Sequence, residues 1–365
     1  VPVGSFLSGG LDSSIVATIA SRKVGKIDTF SIGFEDVADP YHGRSDESEE
    51  AARTAEVIGS NHHEIRVSSK ALMADLDLMN ASCGQPFSVS SGLGVLSVAK
   101  CARDAGIKVL LSGDGADECF GGYSWYPYLA MEGNNRSQFS AQTSETTMQS
   151  VFIPIKDRLN AIRKLPIPSQ VLAWHYYATE NEKKSLFHKD FSEQIMNSCR
   201  FFGSAQKDNW RPEKFIENDR FFYFPNEMLT KVDRMTMAHS VEGRVPFASH
   251  AILELSSRLS FSDMINGDGN LKWMLREAFS KMLPAEVVNR PKHGFNVPID
   301  HWLKNQWSHL VEETFGPDSC LSKRGMLAVN ACELAKEMLA DVRKLHGHTL
   351  FSFIMINRWL ENERN

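Results

Sequence analysis

The chain has 365 residues, 42% hydrophobic and 23% charged, which suits a folded globular protein of roughly two domains. Its formal charge is −5, from 40 basic and 45 acidic residues. That mild acidic balance gives no electrostatic footprint for nucleic acid, and no apolar stretch is long enough to predict a membrane span.

In chain order, the β-prone run Val3, Phe6, Leu7 leads into Ser8-Gly9-Gly10-Leu11-Asp12-Ser13-Ser14 and then a helical pattern at Ile15, Val16, Ile19 and Ala20. Strand, tight glycine turn and helix N-terminus in that order make an anion cradle. Glycine lets backbone N–H groups approach a phosphate, and the helix dipole favours the negative charge. The lysine of the common G-x-x-x-x-G-K-[ST] loop is missing, and an acid, Asp12, lies inside the turn. An acid beside a phosphate cradle is consistent with a bridging divalent cation, so the turn predicts metal-pyrophosphate binding. The competing reading is an ordinary turn with Ser13 as a helix cap.

Further strands are expected at 28–33, His63 to Val67 and Lys108 to Leu111, with helices at 46–58 and 93–105. This alternation implies a parallel sheet with helices on both faces and ligands at the carboxyl ends of the strands. The segment 133–150 is polar and reads as a mobile loop. From about 155 onward the pattern is mostly helical, with helices expected at Ser322 to Leu345 and around Phe353 to Trp359. The pairs Phe201-Phe202 and Phe221-Phe222 read as core. The division is therefore an α/β core over 1–130, a polar loop over 131–150 and a helical remainder over 151–365.

Six cysteines are scattered without a C-x-x-C pair, which reads as free thiols in a reducing cytosol and predicts a cytoplasmic location. His62-His63 lie side by side just before a strand and are given no metal role.

A second acidic glycine loop follows the strand at 108–111: Ser112-Gly113-Asp114-Gly115-Ala116-Asp117-Glu118, then Phe120-Gly121-Gly122-Tyr123. Three acids within five residues at the end of a buried strand are costly unless each meets a cation, a base or solvent. Were the two loops adjacent, Asp12 and Asp117 would be placed to share a Mg²⁺ on pyrophosphate oxygens. Two further clusters carry charge. Lys231-Val232-Asp233-Arg234-Met235, followed by Glu242 to Phe247, also reads as a helix with local ion pairs. Arg290-Pro291-Lys292-His293-Gly294-Phe295 places a lysine off a regular helix, where it would reach into a cleft and neutralise charge on a pentavalent phosphorus. As a surface loop it would do neither.

Together these segments resemble the synthetase domain of the glutamine-dependent (class B) asparagine synthetase family. The resemblance rests on residues 1–14, 110–118 with 120–123, 231–247 and 290–295, in the family's order and over most of the chain. The Ser-Gly-Gly-x-Asp-Ser portion alone is shared with argininosuccinate and GMP synthetases and tRNA-thiolating enzymes. The resemblance implies an adenine nucleotide alpha hydrolase-like, pyrophosphate-loop α/β fold and an AMP-forming amide ligase. A carboxylate attacks the α-phosphate of ATP, and ammonia then displaces AMP from the acyl-adenylate. Carried over by position, Ser8, Gly9, Gly10, Leu11, Asp12, Ser13 and Ser14 bind pyrophosphate. Leu7 and Ile32 line the adenine site, and Ser112 and Gly113 contact the nucleotide. Asp12 and Asp117 ligate Mg²⁺, Asp114 serves formation and aminolysis of the intermediate, and Lys292 stabilises the adenylation transition state. Several relatives carry glutamate where Asp114 stands.

Two departures matter. The family's larger form has an N-terminal glutaminase domain with a cysteine nucleophile, whereas residue one here is valine. The expectation is a piece of a longer polypeptide that uses free ammonia, with a homodimer as a candidate assembly. The segment Gln85-Pro86-Phe87-Ser88-Val89-Ser90-Ser91, where the carboxylate substrate is expected, lacks acids that many relatives carry at positions 85 and 89. Aspartate is the first candidate substrate. The alternatives are the same adenylation on another carboxylate (surface-sugar amidation, β-lactam or peptide cyclisation) or a non-catalytic nucleotide-binding scaffold.

Overall fold

The computed structural model describes residues 1–36, 47–126, 180–195, 213–291, 297–341 and 346–363. The expected polar loop at 133–150, the pair Phe201-Phe202, Cys199 and Lys292 lie outside the described residues.

Five parallel strands form one sheet: β1 (Val3–Phe6), β2 (Asp28–Phe34), β3 (Asn61–Val67), β4 (Val109–Leu111) and β5 (Glu242–Arg244). Their spatial order is β3-β2-β1-β4-β5, so the chain turns back between β1 and β4. At that reversal the crossovers run in opposite directions and leave a crevice beyond the strand ends. The register pairs Ser5 with Leu111, so the loops after β1 and β4 leave the sheet side by side. β2 is a continuous buried run after Asp28, as a strand covered on both faces must be. β3, at an edge, is mostly exposed or half-buried.

The helices α1 (Leu11–Val24), α2 (Ser48–Ile58), α3 (Ser69–Ala74), α4 (Leu76–Cys83) and α5 (Ser91–Asp104) flank the sheet, and the short α6 (Ala116–Phe120) follows β4. One apolar cluster joins Ile15 and Val16 of α1 to Cys119 and Phe120 of α6 and to Leu275, Val287 and Val288. Burial of the Ile, Val, Leu and Phe side chains, each contributing about 1.5–3 kcal/mol, holds three distant segments together. The larger cluster on the sheet's other side is anchored by Trp302 and Trp307, both fully buried, with Trp307 donating its indole N–H to the Ser69 carbonyl at 3.0 Å. The C-terminal helix Gly347–Asn362 locks onto α4. Arg358 pairs with both Asp77 oxygens (2.8 and 2.6 Å), and the Asn80 amide donates to the Met355 carbonyl (2.9 Å).

Three expectations change. The sheet has a strand beyond those read from the sequence, because Glu242–Arg244, far along the chain, pairs with β4. The single helix expected over Ser322 to Leu345 is two, Cys320–Lys323 and Ala331–Ala340, separated at Gly325 (φ 67°). Between them the chain is drawn out to pair with 186–188: Leu327 bridges Phe187, and Met326 and Ala328 exchange hydrogen bonds with His188 and Leu186. Phe221 is not core, being 73% exposed. Cys83, Cys101, Cys119, Cys320 and Cys332 are free, as expected.

Candidate active site

The first glycine turn closes on itself. Gly9 sits at φ 73°, and a Cβ there would lie 2.6 Å from the Glu50 backbone, so α2 comes too close for any side chain. The Ser8 N–H donates to Ser13 Oγ (3.1 Å), and Ser14 Oγ donates to the Gly10 carbonyl (2.6 Å). These bonds fix the turn as α1 begins at Leu11, with Asp12 in its first turn, where the dipole favours an acid.

The second loop lies directly against the first. A Cβ on Gly113 would sit 2.7 Å from the Ser13 amide nitrogen and 2.9 Å from the Asp12 carbonyl carbon, so only glycine permits this approach. Ser112 continues the ladder past β4 by donating its N–H to the Arg244 carbonyl (2.8 Å).

The three acids of this loop are handled in three ways. Asp114 accepts from Lys231 Nζ at 3.0 Å and from the Ser112 hydroxyl. Lys231 is buried and stands on the helix Thr230–Met237, which continues directly from a π-helical segment, Asp219–Leu229. Asp117 Oδ1 lies 2.6 Å from Lys272 Nζ, and the same ammonium donates to Asp12 Oδ2 at 2.5 Å. Glu118 is 1% exposed and accepts from the Tyr123 hydroxyl (2.6 Å). Burial, reinforced by the Asp117 charge, pushes its carboxyl up to about 8, so it keeps its proton at neutral pH.

The cleft in front of the turn is lined by Ser8, Asp12, Ser13, Lys272, Arg276 and Arg290, the last three making a basic wall opposite the glycine turn. Arg290 donates to the Gly9 carbonyl (2.5 Å). Arg276 donates to the carbonyls of Leu271 (2.7 Å), Val288 and Arg290 (3.1 Å), tying this wall together. Lys272 and Arg276 are the residues that sequence reasoning missed. Their one signal is the i,i+4 spacing of two cations at the start of a helical pattern.

Of the sequence-predicted residues, Ser8 to Ser14, Ser112, Gly113, Asp114 and Asp117 converge at the ends of β1 and β4. Leu7, directly after β1, and Ile32, within β2, are both buried. Gln85 is exposed, whereas Val89 belongs to the core. No group of three or more His, Cys, Asp or Glu able to hold a metal occurs among the described residues. The pair Asp12 and Asp117 would nonetheless suit a Mg²⁺ that took its other ligands from elsewhere: both carboxylates already reach one small cation, the Lys272 ammonium.

A parallel α/β sheet with two acidic glycine loops meeting at its switch point defines the class. The chain belongs to the asparagine synthase family, a family of ligases, whose sequence profile matches residues 1–361. It is 29% identical to asparagine synthetase [glutamine-hydrolyzing] 1 of Bacillus subtilis (strain 168) over 329 residues, covering 85% of this chain and 49% of that protein. It is 33% identical to a putative asparagine synthetase [glutamine-hydrolyzing] of Mycobacterium tuberculosis over 314 residues, covering 83% of this chain and 46% of that protein. Amidase chry2 of Gibberella zeae is 25% identical over 353 residues, with 85% and 52% covered. The chain thus spans about half the length of the curated relatives it matches. No helix among the described residues is long and apolar enough to cross a membrane.

Proposed function

We propose that this chain adenylates a carboxylate with ATP and then aminates it with ammonia, aspartate being the first candidate and asparagine, AMP and pyrophosphate the products. The observation that carries this reading is the meeting of the two acidic loops, with Asp12 and Asp117 converging on one cation in front of a glycine cradle. Ser8 to Ser14 hold the pyrophosphate portion of ATP, with backbone N–H groups and the α1 dipole as the attractive field. Asp12 and Asp117 would hold Mg²⁺, which would neutralise charge on the departing pyrophosphate. Arg276 and Arg290 keep the opposite wall in place and add positive charge. Leu7 and Ile32 offer an apolar seat for adenine, and Ser112 and Gly113 contact the nucleotide. Asp114, held by Lys231 and Ser112, is oriented to accept a proton from the attacking ammonia. Lys292 neutralises charge at the α-phosphorus.

Catalysis here is chiefly positioning and charge stabilisation, with water kept from the acyl-adenylate. The core position of Val89 favours a second reading, the same chemistry on another carboxylate, because an apolar buried side chain offers an amino-acid substrate no countercharge. Release of AMP from Mg-ATP and ammonia, with and without aspartate, tests the first reading, and no aspartate dependence would overturn it. Carboxylate-dependent pyrophosphate exchange across a panel of acids separates the two.

A further inference from the structure

Lys272 stands where no sequence motif placed a functional residue, and its seat is specifically built. Its side chain is 4% exposed, and its ammonium touches Asp12 Oδ2 and Asp117 Oδ1 at 2.5 and 2.6 Å. Its backbone has φ 55°, a left-handed conformation that lysine rarely adopts and that packing must hold. A Cβ on Gly122 would fall 2.0 Å from both Lys272 Cε and Asp117 Oδ1, so only glycine at 122 leaves room for this side chain.

Resting on the reading of Asp12 and Asp117 as metal ligands, we propose that the Lys272 ammonium occupies the metal position in the nucleotide-free protein, so that a divalent cation enters only with the nucleotide. A Mg²⁺ shared by the two carboxylates would sit about 2.0–2.1 Å from each, in the space Nζ fills. The two cations exclude one another by volume and by charge. A triphosphate in the cradle changes that balance. It brings its own negative charge, gives the displaced ammonium new oxygen acceptors, and supplies the metal's remaining ligands. Without nucleotide, one lysine keeps two acids from repelling each other across the crevice. Free Mg²⁺ then gains little by binding.

The test uses Mn²⁺ as a paramagnetic probe, titrated into the 365-residue chain and followed by electron paramagnetic resonance, with and without α,β-methylene-ATP. The native chain should bind Mn²⁺ at least about tenfold more tightly with the analogue than without it. Lys272→Met should bind Mn²⁺ without nucleotide at least about tenfold more tightly than the native chain does, roughly 1.4 kcal/mol. Adding Asp117→Asn to that variant should abolish the gain. Lys272→Gln, which keeps a polar side chain, replaces Lys272→Met if the latter does not fold. Equal nucleotide-free affinity in native and variant chains overturns the inference alone. Absence of Mn²⁺ binding even with the analogue overturns the metal reading of Asp12 and Asp117 together with it.

Discussion

Lys231 and Lys272 each reach into the same Ser112–Glu118 loop, but they face different amounts of charge. Lys231 meets one carboxylate, Asp114, which a serine hydroxyl also steadies. Lys272 meets two, Asp12 and Asp117, drawn from two loops. One cation to one anion makes a balanced pair, suited to holding an acid in a fixed orientation. One cation bridging two carboxylates in front of the glycine turn is instead the arrangement that the proposed divalent ion would take over. On the proposed reading, the site is divided into a part that holds an acid rigidly and a part that exchanges one cation for another.

The sharpest way to break this division is Asp117→Asn. Pyrophosphate exchange should fall about 100-fold or more, as when one charge-stabilising group is removed from a preorganised site. The melting temperature should hardly change, because Lys272 keeps Asp12 as its partner. A melting temperature that drops as steeply as the activity would make the two lysines equivalent and end the comparison. Lys231→Met should do the reverse of Asp117→Asn to stability. Asp114 would lose its countercharge in a largely buried place, at a cost of about 2–3 kcal/mol in urea unfolding, and Asp114→Asn added to it should recover part of that loss. No recovery in the double variant would show that Lys231 matters for packing, not for pairing. Gly122→Ala probes the exchangeable part sterically, since the added methyl collides with Lys272 Cε and Asp117 Oδ1. Overpacking of this kind should cost about 1–2 kcal/mol. It should also loosen the lysine from its seat, raising nucleotide-free Mn²⁺ affinity in the same direction as Lys272→Met.

How much of this was legible follows from how local each signal is. The two glycine loops and strands β1 to β4 announce themselves through adjacent residues: a β-prone run, a Gly-Gly or Gly-Asp-Gly turn, then helical spacing. β5 does not. Glu242–Arg244 has a glycine at its centre and no alternation, and it becomes a strand only because β4 lies beside it. The break at Gly325 is hidden for a similar reason, as residues 326–328 are recruited by 186–188, well over a hundred positions away. Lys272 follows an Asp-Gly-Asn turn and reads as a surface lysine. Its burial against Asp12 and Asp117 depends on contacts that no window around residue 272 contains.

Glu118 gives the smallest of the expected effects and the most specific. It is the third acid of the loop, and its environment keeps it protonated, with Tyr123 donating to Oε1. Its folded value, about 8, lies above the ordinary carboxyl value of 4.5, because burial and the Asp117 charge disfavour the anion. Between those two values the folded chain holds a proton that the unfolded chain has released. Stability from this group is therefore fully present below about pH 4.5 and declines as pH rises toward 8. Glu118→Gln preserves the acceptor for Tyr123 and removes the titration. In chelator, without nucleotide, its stability relative to the native chain should rise between pH 6 and pH 7, by at most about 1.4 kcal/mol, the limit for one proton over one pH unit. Above pH 8 the difference should level off. A difference that stays flat from pH 5 to pH 8 would mean that Glu118 is ionised in the folded chain. The loop would then carry a third anion beside Asp114 and Asp117, and the contrast between an acid held by its own lysine and an acid that shares one would have to be redrawn.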